Sequence, residues 1–236
     1  MRLLAVDTAT EACSAALHTD GGVLARFDKA GRSHTQQMLP MVHGLMREAG
    51  WRFADLEGLV CGIGPGSFAG VRIGVGFVKG LALSLGLPVV GVGSLEMLAQ
   101  DAIDGGAARV LCAIDARMDE VYLGAYERGA DGLAQPLAAP WLSNPHTYRQ
   151  AGEGPWIAVG TGWGRYEADL RAGTEGVIER VDGEALPRAT SALRLGRAAF
   201  ARGEAIDADA LAPLYLRDKV ALTLDEQVRL REAKAN

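Results

Sequence analysis

Apolar and polar positions alternate between short runs and long stripes along this chain. Leu3, Leu4, Ala5 and Val6 form a strand-length run that stops at Asp7-Thr8-Ala9-Thr10. Residues 13–18 and 23–27 read as two further strands, joined by a tight hairpin in which Asp20-Gly21-Gly22 supplies positive φ angles. A helix is expected over 33–49, capped by Ser33 and closed by Gly50, with Met38, Val42, Leu45 and Ala49 as its apolar stripe and Leu39 and Met46 widening it. Pro40 predicts a bend or a later start. Residues 56–63 are nearly all apolar, as a strand covered on both faces must be. The loop Gly64-Pro65-Gly66-Ser67 then opens a helix over 68–85, followed by a strand over 88–92 and a helix capped by Ser94 with Leu95, Leu98 and Ala99 inward.

Three strands and then alternating helices and strands predict a mixed, five-stranded sheet with helices on both faces. That order resembles one half of a ribonuclease-H-like or actin-like fold. A second half starts after Asp104-Gly105-Gly106. Residues 110–114 run into Asp115 as residues 3–6 run into Asp7, and the next strand starts six residues on in both cases, at Cys13 and at Val121. The matched register argues for an internal duplication. Strands follow at 156–159 and 177–181, and a helix at 192–201 after Thr190 or Ser191. Residues 214–218 should dock back on the body, and Thr223 with Glu226 form a capping box for a short charged tail helix. The expected fold class is therefore α/β, with an N-terminal subdomain over 1–104, a smaller one over 105–218 and a charged tail over 219–236.

Composition narrows the partners. The 236 residues are 49% hydrophobic and 22% charged, which excludes disordered and low-complexity classes. Twenty-four basic against 29 acidic side chains leave a net charge of −5, an unfavourable balance for a dedicated nucleic-acid binder. The first carboxylate arrives too early for a signal-peptide core, and residues 80–95, charge-free but broken by Pro88 and glycines, are too short to span a bilayer. A cytoplasmic protein without membrane contact is expected, with Cys13, Cys61 and Cys112 as buried thiols.

Chemistry is sparse. The segment from Gly62 to Gly70 offers free backbone N–H groups at a helix start, where a phosphate could sit, yet it lacks the Lys-Ser/Thr of a P-loop. Asp7, Thr8 and Thr10 could hold a second phosphate or a hydrated magnesium; with Gly64, Gly66 and Ser67 they make a pair of candidate, degenerate phosphate loops. A two-metal carboxylate set drawn from Asp7, Glu11, Asp55, Asp115 and Asp119 is outweighed by a reading of solvated turn residues. His18, His34, His43 and His146 show no i, i+4 pair, so no metal site is expected. Ser67 does not sit in Gly-x-Ser-x-Gly, and no catalytic group emerges.

The helix over 68–85 is unusual in carrying Gly70, Gly74, Gly76 and Gly80, each costing roughly 0.8–1 kcal/mol relative to Ala. Gly70 and Gly74 are one turn apart and suggest a groove for close backbone approach, in line with Phe77 and Leu81. Met38, Met41, Val42 and Leu45 on the preceding helix, with Gly70, Val71, Gly74, Phe77, Val78 and Leu81, form the candidate partner interface, against the alternative that this helix packs on its own sheet. Arg188, Arg194, Arg197 and Arg202 form an acid-free basic stretch that a solvated helix face explains better than tRNA contact.

Asp7-Thr8-Ala9-Thr10, Ser33-His34 with Leu39-Pro40, the run from Gly64 to Gly74, and the run from Asp115 to Tyr122 together resemble the bacterial TsaB (YeaZ) family over essentially the whole chain. The resemblance implies an actin-like fold of two subdomains, in the superfamily of sugar kinases and Hsp70. It further implies a non-catalytic paralogue of TsaD, pairing with TsaD and recruiting the ATPase TsaE during synthesis of threonylcarbamoyladenosine at position 37 of tRNAs reading codons that begin with A. A homodimer is implied when TsaD is scarce, and tRNA is met only through the complex. TsaD carries a His-x-x-x-His pair where this chain has Ser94 and Leu98, so no metal and no cofactor are expected. The alternatives are a metal-dependent peptidase and a small-molecule kinase of the same superfamily.

Overall fold

A computed structural model of the chain describes residues 1–31, 33–150 and 154–217. Two sheets are built in the same order. In the first, β1 (Leu3–Asp7) pairs antiparallel with β2 (Ala12–Thr19), which pairs with β3 (Gly22–Lys29); β4 (Gly58–Gly64) lies parallel to β1, and β5 (Val89–Gly93) parallel to β4. The expected five-stranded mixed sheet is present, in the order β3-β2-β1-β4-β5. In the second, β6 (Arg109–Arg117) pairs antiparallel with β7 (Glu120–Arg128), which carries β8 (Ala134–Pro136) and β9 (Trp141–Ser143); β10 (Trp156–Val159) lies parallel to β6, and β11 (Ile178–Asp182) parallel to β10. The order β8-β7-β6-β10-β11 repeats that of the first sheet. Asp7 pairs with Ser14 and Asp115 with Val121, so the two hairpins correspond but their ladders are offset by one residue, with an irregularity after Asp115.

The helices interlock the two sheets. The period-2 alternation of β1 sends Leu4 and Val6 to one face, where they meet Met38, Val42 and Leu45 of α1 (His34–Glu48) and Val71, Val75 and Val78 of α2 (Phe68–Leu85). Leu3 and Ala5 point to the other face and meet Ala192, Leu193 and Leu195 of α5 (Ala189–Ala201). In the second sheet Cys112 and Ile114 face Leu95, Leu98 and Ile103 of α3 (Ser94–Asp104), while Leu111 and Ala113 face Trp163 and Leu170 of α4 (Thr161–Ala172). So α3, which follows the first sheet in sequence, packs on the second, and α5 returns to the first. Two close approaches fix α5: Ser14 Oγ accepts the Ala189 N–H at 3.0 Å, and a Cβ on Gly196 would lie 2.4 Å from Val60 Cγ2. A boundary at 104/105 therefore divides the sheets but not their packing.

Local corrections follow from these contacts. Ser33 does not cap α1 with its side chain: its Oγ donates to Ala30 O at 2.6 Å, and the buried His34 ring reaches Thr10 O at 2.8 Å instead. Ser94 is the first residue of α3, not its cap; Gly93 takes that place, its N–H bonded to the Glu96 carboxylate, and the Ser94 hydroxyl is buried without a partner. α5 begins three residues before position 192 because a distant serine, Ser14, satisfies its first N–H. α4, β8 and β9 were not anticipated; α4 opens on Thr161-Gly162-Trp163-Gly164, a poor helix signal. The capping box at Thr223 and Glu226, and residue 218, lie outside the described residues.

Candidate functional site: an interlobe cleft and an outer helix face

Between the two sheets lies a cleft of about 770 Å³. Thr10, Glu11, Gly66 and Ser67 line it from the first lobe, and Asp115, Arg117, Thr161 and Arg165 from the second. The chain itself crosses its mouth. Leu214 N–H bonds Ile63 O at 2.8 Å, Tyr215 stacks near Phe68, and Arg217 reaches Arg117 O and the Glu120 carboxylate. Docking of this segment matches the sequence expectation as far as Arg217.

The two duplicated loops are not equivalent inside the cleft. Asp115 accepts from the Arg117 N–H at 2.8 Å and from the Arg117 and Arg165 guanidiniums at 2.9 and 3.2 Å. Its turn is strained, because Arg117, Met118 and Asp119 all have φ near +60° (61°, 56° and 56°). Asp7, by contrast, is fully buried; one carboxylate oxygen accepts the Ala9 N–H at 3.4 Å and the other has no partner. Burial pushes its pKa up to about 7. This corrects the expectation of a solvated turn residue. Gly62 makes the burial possible, since a Cβ there would lie 1.9 Å from Asp7 Oδ1. Asp55 is likewise committed, accepting from the Arg52 backbone and guanidinium at 2.7 and 3.2 Å.

The candidate phosphate loops spend their polar groups on each other. Thr8 Oγ1 donates to Gly70 O at 2.7 Å, the Ser67 N–H donates to Ala9 O at 2.7 Å, and Ser67 Oγ accepts the Gly70 N–H at 3.3 Å. Thr10, Gly66 and Ser67 line the cleft, whereas Asp7 and Thr8 are buried behind it and Gly64 is buried at a φ of +94°. The bonds that close strand end against helix start are those a phosphate would otherwise receive.

The partner face needs the larger correction. Gly70 and Gly74 do not form an outward groove. A Cβ on Gly70 would lie 2.2 Å from Thr8 O, and one on Gly74 would lie 2.7 Å from Thr8 Oγ1, so both glycines exist for the approach of α2 to the end of β1. Met38, Val42, Leu45, Val71 and Val78 are likewise consumed by the core of the first lobe. Met41, Phe77 and Leu81 are half-buried at its margin. What α2 leaves outside is the stripe Ala69, Arg72, Gly76, Gly80 and Leu83, flanked by Phe68. Gly76 and Gly80 touch nothing within 4 Å of their would-be Cβ atoms. α2 is long and apolar enough to cross a bilayer, yet about a third of it is buried in the first lobe, so it is an unusually apolar helix with an open side.

Three of the four arginines along α5 and its ends meet acids: Arg194 pairs with Asp104 of α3 at 2.8 Å, Arg202 with the nearby Glu204 at 2.7 Å, and Arg188 approaches Asp101 of α3 at 4.0 Å and stacks on Phe27. Cys13, Cys61 and Cys112 are buried free thiols, as expected.

Two like-ordered sheets, each lending a helix to the other around a central cleft, define an actin-like, duplicated α/β protein. The comparisons with known proteins agree. Residues 9–143 match the family model described as TsaD, tRNA N6-adenosine threonylcarbamoyltransferase. The tRNA threonylcarbamoyladenosine biosynthesis protein TsaB of Escherichia coli is 45% identical over 226 residues, covering 94% of this chain and 96% of that protein. The TsaB of Haemophilus influenzae is 33% identical, covering 93% and 95%. A crystal structure from Pseudomonas aeruginosa, described as an uncharacterized protein with similarity to peptidase YeaZ, superposes with a TM-score of 0.85 at 40% identity, covering 92% of this chain and 99% of that one. The chain belongs to the TsaB (YeaZ) family.

Proposed function

We propose that this chain is a non-catalytic subunit in the synthesis of threonylcarbamoyladenosine in tRNA, acting as scaffold and activator for a TsaD-type transferase and recruiting a TsaE-type ATPase. Family membership supports the pathway, since the relatives in Escherichia coli and Haemophilus influenzae carry that process in their names. The observation that carries the non-catalytic part is the closure of the two loops upon each other through Thr8–Gly70 and Ala9–Ser67, which commits the Thr8 hydroxyl and the Ser67 N–H. Ser94 and Leu98, buried at the start of α3, offer a hydroxyl and a hydrocarbon where the TsaD pattern calls for two imidazoles. The partner docks on the open side of α2, with Met41, Phe77 and Leu81 at the margin of the contact. Gly70, Val71, Gly74 and Val78 support that helix from beneath.

Reconstitution tests the proposal. The purified chain alone is expected neither to hydrolyse ATP nor to modify tRNA. Leaving it out of a mixture holding the other subunits, threonylcarbamoyl-adenylate and tRNA is expected to abolish the modified nucleoside measured by mass spectrometry. Turnover by the lone chain, or full modification without it, overturns the reading.

A further inference from the structure

A second groove, of about 560 Å³, lies where one edge of each sheet reaches the surface. β5 lines it from the first sheet and β8 from the second, with Leu195, Ala199 and Leu211 as an apolar wall. The two edges are finished differently. An edge strand presents its N–H and C=O outward at every second residue. On β8 the outward N–H of Ala134 is taken by Gln100 Oε1 at 3.0 Å, and Pro136 has none to offer. On β5, Val89 exchanges both of its bonds with Ile206, at 2.9 and 2.8 Å, and the Gly93 N–H is taken by the Glu96 carboxylate. Gly91 between them is exposed, and among the described residues no bond reaches its outward N–H or C=O. The opposite edge of this sheet, β3, carries Arg26, Asp28 and Lys29, whereas β5 has no charged residue. An uncharged edge strand with an open step is a template for pairing with another chain.

Charge selects what pairs there. The charged side chains lining the groove are Glu96, Arg202 and Glu204, and Arg202 is spent on Glu204 in two bonds, at 2.7 and 2.8 Å. Asp131 lies near enough to act on Arg202, Asp207 and Asp209 are exposed beside Ile206 and Ala210, and the Lys79 ammonium is held on Asp209 O at 2.9 Å. Among the described residues no cation pairs with Glu96, and burial holds its carboxyl above the usual range. Acids therefore outnumber bases at the groove, and its innermost carboxylate lacks a cation. We propose that this groove binds an extended segment of a partner protein: one residue pairs its backbone with Gly91, continuing the cover begun by Ile206, an aliphatic side chain lies against Leu195 and Ala199, and a lysine or arginine reaches Glu96. The inference goes beyond the subunit role proposed above and does not depend on it.

The test uses the full chain with short fluorescein-labelled peptides in which valine alternates with lysine, glutamine or glutamate. Anisotropy measures binding, and NMR reads hydrogen exchange at the Gly91 amide. The lysine peptide is expected to bind about tenfold more tightly than the glutamine peptide, and the glutamate peptide not at all. Exchange at Gly91 is expected to be fast in the chain alone and slowed by the lysine peptide. Glu96→Gln keeps an acceptor for the Gly93 N–H and is expected to remove the preference for lysine. Ala212→Trp, at an exposed position lining the groove, is expected to abolish binding of every peptide. An unchanged thermal transition checks the fold of both variants. A lysine preference that survives Glu96→Gln, binding that survives Ala212→Trp, binding without protection of Gly91, or no binding by any peptide overturns the proposal. A Gly91 amide already protected in dilute chain assigns the groove to the chain itself, and protection that grows with chain concentration assigns it to a second copy; either result overturns the partner segment.

Discussion

At the scale of single residues, Asp7 and Asp115 show how a duplication diverges. Asp7 ends β1, and Asp115 lies just before the end of β6 at Arg117, where the turn opens. Asp115 gathers two guanidiniums, whereas Asp7 has one long backbone bond and an orphaned oxygen. In the unfolded chain Asp7 titrates near 3.8; burial in the folded chain raises this to about 7. The folded state therefore binds the proton more tightly, so the stability tied to this group is fully present below about pH 4 and is lost as pH rises through 7. The wild-type chain is expected to lose up to about 1 kcal/mol per pH unit from this group across that window, and Asp7→Asn to flatten the profile and be the more stable form at pH 8. Urea unfolding at pH 5, 6, 7 and 8 measures it; equal slopes for the two proteins would refute the assignment. The sequence marked Asp7 as a special polar residue at a strand end. It could not show the burial, because that comes from the missing side chain of Gly62, on a strand paired to β1 from 55 residues away.

Helix α2 raises the same issue for a whole element. Its limits, Phe68 to Leu85, match the expected span; in the structure Ser67 caps its start and Gly86 takes a φ of +65° at the C-terminus. Its orientation was not. Gly70 with Gly74 and Gly76 with Gly80 are two small pairs at the same spacing, and periodicity alone cannot say which one meets the sheet. The sheet takes the first pair, because Thr8 at the end of β1 sits against it. Opposite outcomes follow from one chemical change. Gly70→Ala is expected to destabilise the chain by about 1–3 kcal/mol, since its methyl group runs into a backbone oxygen that cannot retreat without moving β1. Gly76→Ala is expected to stabilise it by about 0.5–1 kcal/mol, gaining helix propensity in open space. Thermal unfolding of both variants decides, and a shift of the same sign in both would show that the helix is turned the wrong way round in this account.

For the whole molecule, the mixed five-stranded sheet and the duplication could be read from sequence, because each depends on short apolar runs and on the distance from the aspartate after such a run to the next strand. The exchange of helices could not, since amphipathicity says that α3 and α5 bury a face but not which sheet receives it. That exchange makes each lobe incomplete without the other. Leu3, Ala5, Val60, Val90 and Val92 of the first sheet are covered by α5 and by Met97 of α3, while Leu95, Leu98 and Ile103 of α3 cluster with the second sheet. A fragment of residues 1–104 would expose both sets at once, a loss of burial worth about 1.5–3 kcal/mol for each large side chain, against a total stability of roughly 5–15 kcal/mol for a typical domain. The fragment is expected to bind a hydrophobic dye and to lack a cooperative melt. In the intact chain, signals from Trp51, beside the first core, and from the buried Trp156 and Trp163 of the second lobe should report one common transition. Gly196→Val forces a side chain into Val60 where α5 meets the first sheet, and it should lower both signals together, because loosening that helix withdraws a wall from one lobe and the tether from the other. Two transitions moving independently in this variant, or a folded 1–104 fragment, would mean that the lobes stand alone and that the exchanged helices are ornaments to their stability instead of its source.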